Sequence, residues 1–158
     1  MLRYLRALLG DETDARDAFS AFAERLWRGL GAFRGEASVR TWAFRLAWSA
    51  ACDLRKEAWR VKGRRLETAE GSALAAPGHD GTRTWLRLER RRLDFAALRA
   101  ALSPEEQTLL HLRIDRELSW AECAQVLAGS GRAVSEAALM KRFERIKARL
   151  ADRAREAG

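Results

Sequence analysis

Apolar side chains recur every three or four residues along most of this chain of 158 residues. In residues 12–30 and 38–59 they form one stripe each, the spacing that places them on one face of a helix. The first stripe consists of Ala15, Ala18, Phe19, Phe22, Leu26 and Leu30, and the second of Val39, Trp42, Ala43, Leu46, Ala47, Ala50 and Leu54. The sequence also contains one Tyr, two Pro and few β-branched residues, which argues against a strand-rich fold. We therefore expect an all-α protein.

Serine residues mark the predicted starts of four helices. Ser38 is placed to cap the helix 38–59, and Ser103 is followed by a Pro at the first helical position and a capping-box Glu. Ser119 repeats the capping box, and Ser135 is a further N-cap. The predicted helices after residue 83 span 84–101, 104–116, 119–128 and 135–155, and the last three of them follow from these serine caps.

One stretch interrupts the helical pattern. ETAEGSALAAPGHDGT (67–82) is rich in Gly, Ala and Ser and has no apolar period, which is typical of a flexible linker. We expect two small helical domains, residues 1–66 and 84–158, joined by a linker over 67–83. In the second domain, a short helix, a turn with Gly129 and Gly131 and a longer basic helix have the outline of a helix-turn-helix.

The charge of the chain favours an acidic partner. The formal net charge is +8, and 26 of the 30 basic residues are Arg. Arg matches phosphates and guanine edges, so nucleic acid is the first partner to consider. A GC-rich genome would supply the same Arg bias without any function. Residues 1–66 contain 14 basic and 8 acidic side chains, a balance of +6, so the first domain is the basic one.

The predicted last helix has two distinct faces. At about 100° per residue, one sector is apolar (Leu139, Phe143, Ile146, Leu150), and another holds Lys141, Arg142, Arg145 and Arg149 with Ala138. Such a basic stripe fits a helix in the DNA major groove. The alternative is a solvated basic face on an ordinary bundle helix.

The helix 38–59 interleaves aromatic and basic residues opposite its apolar stripe. Phe44 and Trp48 lie four residues apart, beside Arg45 and Arg55, with Arg40 near the helix start. Aromatic side chains can stack on unpaired bases while Arg residues hold phosphates. The alternative is that both aromatic residues pack against the other domain or a neighbouring helix. Trp42 lies within the stripe, and we expect it in the core.

Enzymatic and metal sites are not expected. The sequence has no catalytic Ser/His/Asp order, no phosphate-cradling Gly loop and no cluster with metal-ligand spacing. We expect no cofactor and no catalysis by the chain alone. Cys52 and Cys123 cannot make a disulfide framework and fit a reducing compartment. No apolar run is long enough for a membrane span.

Two blocks of sequence, residues 14–56 and residues 98–150, contain stretches that resemble one family. FRGEASVRTWAFRLAWSAACDLRK (33–56) closely resembles the second conserved region of extracytoplasmic-function (ECF) sigma factors, which belong to the sigma-70 family of bacterial transcription initiation factors. DARDAFSAFAERLWRGL (14–30) resembles the polymerase-binding helix of that region. Residues 98–127 and 134–150 resemble the fourth region, a helix-turn-helix. The blocks occur in the family's order and spacing.

The resemblance implies a role for each domain. The first domain would bind core RNA polymerase and capture the melted −10 promoter strand, and the second would bind the −35 duplex. For polymerase binding it implies Asp14, Asp17 and Arg25, with Trp27 as a further motif position that also suits the core. Together with the basic and aromatic positions above, the expected −10 residues are Phe33, Arg34, Gly35, Glu36, Ser38, Arg40, Phe44, Arg45, Trp48 and Arg55. The expected −35 residues are Ser135, Glu136, Ala138, Lys141, Arg142, Arg145 and Arg149.

The sequence departs from the family pattern at several points. Ser20 and Ala21 replace a Gln-Glu pair, and Trp48 and Ser49 replace Arg-Asn. The chain also starts within what should be the family's first helix, which indicates a misassigned start, a fragment or a trimmed variant. A sigma-derived regulator that does not initiate transcription is therefore the alternative. The family also implies a cytoplasmic location and an anti-sigma factor as a partner, which the sequence does not identify.

Overall fold

The computed structural model describes residues 1–63 and 102–156. Within these two ranges all regular structure is helical and there is no strand, which confirms the all-α prediction. The predicted linker over 67–83 and the predicted helix 84–101 lie outside the described residues. None of the helices in the two ranges is long and apolar enough to cross a membrane.

The first range folds into three helices, α1 (Leu2–Leu9), α2 (Glu12–Gly29) and α3 (Val39–Gly63), with a 3₁₀ turn at Leu30–Ala32 between α2 and α3. We call this the N-terminal unit. The side chain of Asp11 caps α2 by accepting a hydrogen bond of 2.9 Å from the Asp14 amide. Ser38 caps α3 in the same way as predicted, accepting from the Thr41 amide at 3.0 Å.

The second range forms α4 (Pro104–Leu110), a π-helical turn (His111–Asp115), α5 (Trp120–Leu127), a 3₁₀ turn (Ala128–Ser130) and α6 (Glu136–Glu156). We call this the C-terminal unit. Both predicted capping boxes are present, because Ser103 pairs with Glu106 and Ser119 with Glu122. Ser135 accepts a hydrogen bond from the Ala138 amide at 3.3 Å, which confirms the predicted start of α6.

The apolar sector of α6 faces the interior of the C-terminal unit. Leu139 and Ile146 are fully buried, and Phe143 and Leu150 are half-buried against the same core. The ring of Phe143 meets Trp120 of α5 edge-on at 5.5 Å between centroids. This packing leaves most of the basic stripe, which occupies a different sector of α6, exposed.

The two units pack against each other along α3. This helix contacts α5 and the 3₁₀ turn Ala128–Ser130, while α1 contacts α4. At the α1–α4 contact, the buried hydroxyls of Tyr4 and Thr108 share a hydrogen bond of 3.0 Å. We call this contact surface the seam. It consists of Tyr4, Thr41, Phe44 and Trp48 on one side and Thr108, His111, Glu122, Leu127 and Gly129 on the other.

The seam changes which residues of α3 are buried. Val39, expected in the apolar stripe, is 60% exposed, and Trp42, expected in the core, is half-buried. Thr41, Phe44 and Trp48 are instead almost completely buried. The reason is that α3 packs on two sides, against α1 and α2 and against the C-terminal unit. A prediction based on one apolar stripe accounts for the burial on only one of these sides.

Candidate nucleic-acid interface

The loop before α3 is an exposed, partly basic surface. Four of its expected −10 residues are exposed, namely Arg34, Gly35, Glu36 and Ser38, and Arg40 in the first turn of α3 is exposed as well. Gly35 has a φ of 73°, a left-handed conformation that favours glycine and turns the chain toward α3. The loop and the first turn of α3 therefore present two guanidinium groups and backbone edges to solvent, which suits contact with a phosphate backbone and a flipped base.

An aromatic pair forms the base of this loop. The rings of Phe33 and Trp42 lie 4.9 Å apart at 36°, and both residues are half-buried. The Trp42 ring also fits over Gly29 at the end of α2, where an added Cβ would come within 2.8 Å of the indole. The sequence interpretation placed Trp42 in the core. Its spacing from Phe33 across a short Gly-containing loop is the signal that could have placed it beside the loop.

The two aromatic residues expected to stack on unpaired DNA are covered in this structure. Phe44 and Trp48 are each 3% exposed. The Phe44 ring lies 5.6 Å from Tyr4 and 5.7 Å from His111, and the Arg116 guanidinium lies 5.6 Å from its centroid. The Trp48 indole N–H donates a hydrogen bond of 3.2 Å to the Leu127 carbonyl oxygen. Phe44 and Trp48 are therefore arranged as in the alternative interpretation of the sequence, in which both aromatic residues pack against the other domain.

A polar contact adjoins these rings. The Thr41 hydroxyl donates to Glu122 Oε1 at 2.8 Å, while the other carboxylate oxygen accepts from the Ser119 amide at 2.8 Å. This carboxylate accepts hydrogen bonds from the Ser119 amide, Thr41 and the Ser119 hydroxyl, and these bonds lower the pKa of Glu122. The capping box of α5 is thus also a contact point for α3.

The remaining expected −10 residues, Arg45 and Arg55, differ in their surroundings. Arg45 is exposed beside the seam, and a Cβ added to Gly129 would come within 2.8 Å of its carbonyl oxygen. Arg55 is half-buried and donates to the Leu8 carbonyl oxygen at 2.7 Å. Burial lowers the pKa of the Arg55 guanidinium. Arg45 is therefore open to a phosphate, whereas Arg55 joins α3 to α1.

On α6 the expected −35 residues form an outward surface. Six of the seven are exposed: Ser135, Glu136, Ala138, Lys141, Arg145 and Arg149. Arg142 is half-buried and pairs with Glu105 at the start of α4, at 2.6 Å. An open groove at the beginning of α6 is lined by Glu105, Arg132, Val134, Ser135, Ala138 and Arg142.

A second acidic group of α4 pairs with the stripe. Arg149 forms an ion pair with Glu106, which also caps α4. Burial acts to raise the pKa of Glu106, but hydrogen bonds from Ser103 and Arg149 outweigh it and hold the pKa below its ordinary value. The start of α4 therefore neutralises part of the basic stripe, a contact that the sequence analysis explained by capping alone.

The expected polymerase-binding residues lie on α2. Asp14 and Asp17 are exposed. Arg25 instead spans to α3, donating to the Ser49 hydroxyl at 3.1 Å and to Asp53 at 2.8 Å. It therefore fixes the α2–α3 packing and is partly committed to contacts within the unit.

An apolar patch on α2 and the start of the following 3₁₀ turn was not predicted from the sequence. Trp27 is 82% exposed, Leu30 is 57% exposed, and Phe19 and Ala23 continue the patch at helical spacing. Phe19 and Leu30 were expected in the apolar stripe, but the core takes Ala15, Ala18 and Phe22 from this helix. Exposed large apolar side chains on one face are typical of a protein-binding surface.

Comparison with known proteins finds a family model that matches the N-terminal unit. Residues 1–61 match the family model described as Sigma-70 region 2. The match spans α1, α2 and nearly all of α3, and it supports a sigma-70 type protein, a class that binds core RNA polymerase and promoter DNA. It covers less than half of the 158 residues, so the C-terminal unit lies outside it. A search of curated proteins found no match.

Proposed function

We propose that this chain is an ECF-type RNA polymerase sigma factor that directs promoter-specific initiation. The match of residues 1–61 to sigma-70 region 2 is the observation on which the proposal chiefly rests. In this role the N-terminal unit binds core polymerase and the unpaired −10 strand. The location is then the cytoplasm, and an anti-sigma factor is a further partner.

The polymerase-binding surface proposed here combines charge with apolar area. Asp14 and Asp17 supply exposed carboxylates on α2, and Trp27, Leu30 and Phe19 supply the apolar patch. Large aromatic side chains at the centre of an interface often provide most of its binding energy. Trp27 is therefore the proposed anchor.

The C-terminal unit is proposed to bind the −35 duplex as a helix-turn-helix. Its support is the exposed stripe of α6, the predicted caps and the turn that connects α5 to α6. Lys141 and Arg145 would contact the phosphates, and Ser135, Glu136 and Ala138 lie at the end of α6 that would enter the major groove.

A regulator that binds DNA or polymerase without initiating is the second candidate. The covering of Phe44 and Trp48 favours it, because these rings are unavailable to unpaired DNA in this conformation. The replacement of a family Gln-Glu pair by Ser20 and Ala21 is consistent with weaker polymerase binding.

Run-off transcription separates the two candidates. Core RNA polymerase is mixed with the full chain and a library of randomised promoters, and transcripts are sequenced. A sigma factor yields transcripts that share −10 and −35 elements and disappear without the chain. Binding to polymerase or duplex DNA with no transcript supports the regulator instead.

A further inference from the structure

We propose that Glu105 determines part of the sequence specificity of the duplex-binding surface, because its carboxylate holds the Arg142 guanidinium in position to bind one guanine in the major groove. This inference rests on the proposed binding of duplex DNA by α6. The ion pair between the two side chains is the observation that supports it. Glu105 is then a positioning residue, and Arg142 is the residue that contacts the base.

Arg142 lies at the end of α6 that can reach base edges. It is within the first two turns of the helix, which begins at Glu136. In helix-turn-helix proteins the first residues of the second helix contact base edges. The other ion pair between α4 and α6 involves Arg149, two turns further along the helix. Arg142 is therefore the paired Arg that is better placed for a base contact.

The ion pair leaves one edge of the Arg142 guanidinium available. Its Nη1 atom donates a hydrogen bond of 2.6 Å to Glu105 Oε2. Among the residues that the structure describes, neither Nε nor Nη2 of Arg142 has a hydrogen-bond partner. Two neighbouring N–H donors of this kind match the O6 and N7 acceptors of guanine, which is the commonest specific contact between Arg and a base.

An open groove lies beside the ion pair. Its volume is about 620 Å³, and both members of the pair line it together with Arg132, Val134, Ser135 and Ala138. Ala138 lies one turn before Arg142 on the same side of the helix, and its side chain is a single methyl group. The Arg142 side chain is 29% exposed. A base edge can therefore reach the guanidinium through the groove.

Pairing with Glu105 favours base recognition by Arg142 over phosphate contact. An unrestrained Arg side chain has many rotamers, and ordering them opposes binding. A carboxylate that already holds the guanidinium reduces this loss, and its negative charge repels a phosphate group. Because both side chains are partly exposed, solvent screening leaves the pair little net effect on stability. Its main effect is therefore on what Arg142 binds.

The neighbouring basic residues have different surroundings. Lys141 and Arg145 are exposed. In the described part of the chain, the ion pairs of α6 involve Arg142, Lys147, Arg149 and Arg155, and not these two residues. Cations without an acidic partner can follow phosphates and supply affinity that does not depend on sequence. We therefore assign specificity to Arg142 and sequence-independent affinity to Lys141 and Arg145.

The test measures base preference in the full-length chain. A duplex pool randomised at its central positions is mixed with the chain at one fixed salt concentration, and the bound duplexes are separated and sequenced. Glu105→Gln removes the charge and keeps the side-chain shape, and Glu105→Ala removes the acceptor altogether. Arg142→Lys keeps the positive charge but lacks the fork of donors. Glu144→Gln is the control, because it removes the same charge from nearly the opposite side of α6.

We expect the parent chain to favour guanine by about tenfold at one position of the duplex. Arg142→Lys should abolish this preference. Glu105→Gln should reduce it several-fold and Glu105→Ala should reduce it further, while preferences at the other positions stay unchanged. Glu144→Gln should match the parent chain at every position. In the Arg142→Lys background, Glu105→Gln should have no further effect on base preference, because the two residues act as one unit. Circular dichroism checks that each variant is folded.

The proposal is overturned if the Glu105 variants keep the parent's base preferences, which would show that the ion pair only joins α4 to α6. An equal loss at all positions would overturn it too, because the variants would then disturb the whole surface. Loss in Glu105→Gln of a preference that Arg142→Lys retains would show that Glu105 contacts a base itself. A parent chain without any guanine preference would also contradict the proposal.

Failure of this inference is distinguishable from failure of the proposed function. Chain-dependent run-off transcription, with the same promoter choice for the parent chain and Glu105→Ala, would overturn the role of Glu105 and leave the sigma function standing. Absence of transcripts would count against the sigma function only, since base preference is measured without polymerase.

Discussion

The indole N–H of Trp48 donates a hydrogen bond to the carbonyl oxygen of Leu127, which lies 79 residues further along the chain, at 3.2 Å. This bond joins the centre of α3 to the end of α5 within a buried contact. It connects a residue that the family resemblance assigns to −10 DNA with the C-terminal unit, which the resemblance assigns to −35 DNA. The contact therefore covers a residue that the proposed function assigns to unpaired DNA.

Substitution of Trp48 separates its two roles. Trp48→Phe keeps an aromatic ring and removes the hydrogen bond, so we expect a loss of about 1 kcal/mol in the free energy of unfolding. Trp48→Ala also removes the buried ring and should cost about 3–5 kcal/mol. Urea denaturation followed by circular dichroism measures both.

The same two variants test base stacking. In a chain whose seam is disrupted, so that Trp48 is uncovered, Trp48→Phe should retain single-strand binding and Trp48→Ala should lose about 1–3 kcal/mol of it. Gly129→Ala supplies this background, because its added Cβ would come within 2.8 Å of the Arg45 carbonyl oxygen. Equal single-strand affinity of the Phe and Ala variants would show that Trp48 has only a structural role.

Acidic pH should weaken the contact between Thr41 and Glu122. The pKa of Glu122 in the folded chain lies below its ordinary value of 4.5, because the carboxylate accepts hydrogen bonds from Ser119 and Thr41. A lowered folded pKa stabilises the fold above the unfolded pKa, and this stabilisation is lost as the pH falls through the folded pKa. We therefore expect stability to decline from about pH 5 downward.

Glu122→Gln supplies the corresponding control. The variant should be less stable than the parent chain at neutral pH, and the difference should narrow as the pH falls through the acid range. Glu57→Gln, an exposed substitution on α3 away from the seam, is the matched control. Parallel pH profiles of Glu122→Gln and the parent chain would contradict a contribution from the Glu122 carboxylate.

Duplex binding by the basic stripe of α6 should respond differently to loss of a basic side chain and to loss of an acidic one. Arg142→Ala should weaken duplex binding by about 1–3 kcal/mol if this side chain contacts a base edge. Arg153→Ala, on the same helix but outside the proposed set, is the matched control. Equal affinities of the two variants would remove Arg142 from the recognition surface.

Removal of the acidic partner of Arg142 should strengthen duplex binding. Glu105→Gln releases the guanidinium from its 2.6 Å ion pair and removes a negative charge near the phosphates. An additional phosphate contact would steepen the dependence of log affinity on log salt concentration by about one unit. Anisotropy titrations at several salt concentrations measure this slope, and an unchanged slope would mean that Arg142 makes no new phosphate contact.

The exposed Trp27 should matter for polymerase binding and not for stability. Because its side chain is 82% exposed, Trp27→Ser should change the free energy of unfolding by no more than about 0.5 kcal/mol. An interface anchor of this kind should cost about 2 kcal/mol or more in affinity for core polymerase. Trp59→Ser, at a site on α3 that is 81% exposed, is the control. Similar polymerase affinities of the two variants would contradict the proposed anchor.

Local features of the sequence predicted local features of the fold. Ser38, Ser103, Ser119 and Ser135 mark helix starts because an N-cap depends on residues within one turn. The apolar sector of α6 was predicted from spacing alone, and Leu139 and Ile146 are fully buried as expected. Such features need no information about distant parts of the chain.

Contacts between distant residues were not predictable in the same way. The spacing of Phe44 and Trp48 fits either a DNA-binding face or a packed face, and the choice depends on Leu127 and His111, far away in sequence. The exposure of Trp27 depends on which side of α2 meets α3. Gly129 was assigned to a turn, although its close approach to Arg45 is what requires a glycine.

The central claim, that the chain is a sigma factor, is tested most directly by initiation from one promoter selected from the randomised library. Transcription is measured with core polymerase alone, the chain alone and the two combined, and then with Trp27→Ser and Trp59→Ser. We expect a defined transcript only from the combination, with a strong reduction for Trp27→Ser and little change for Trp59→Ser. Absence of any chain-dependent transcript, despite binding of the chain to core polymerase, would contradict the claim.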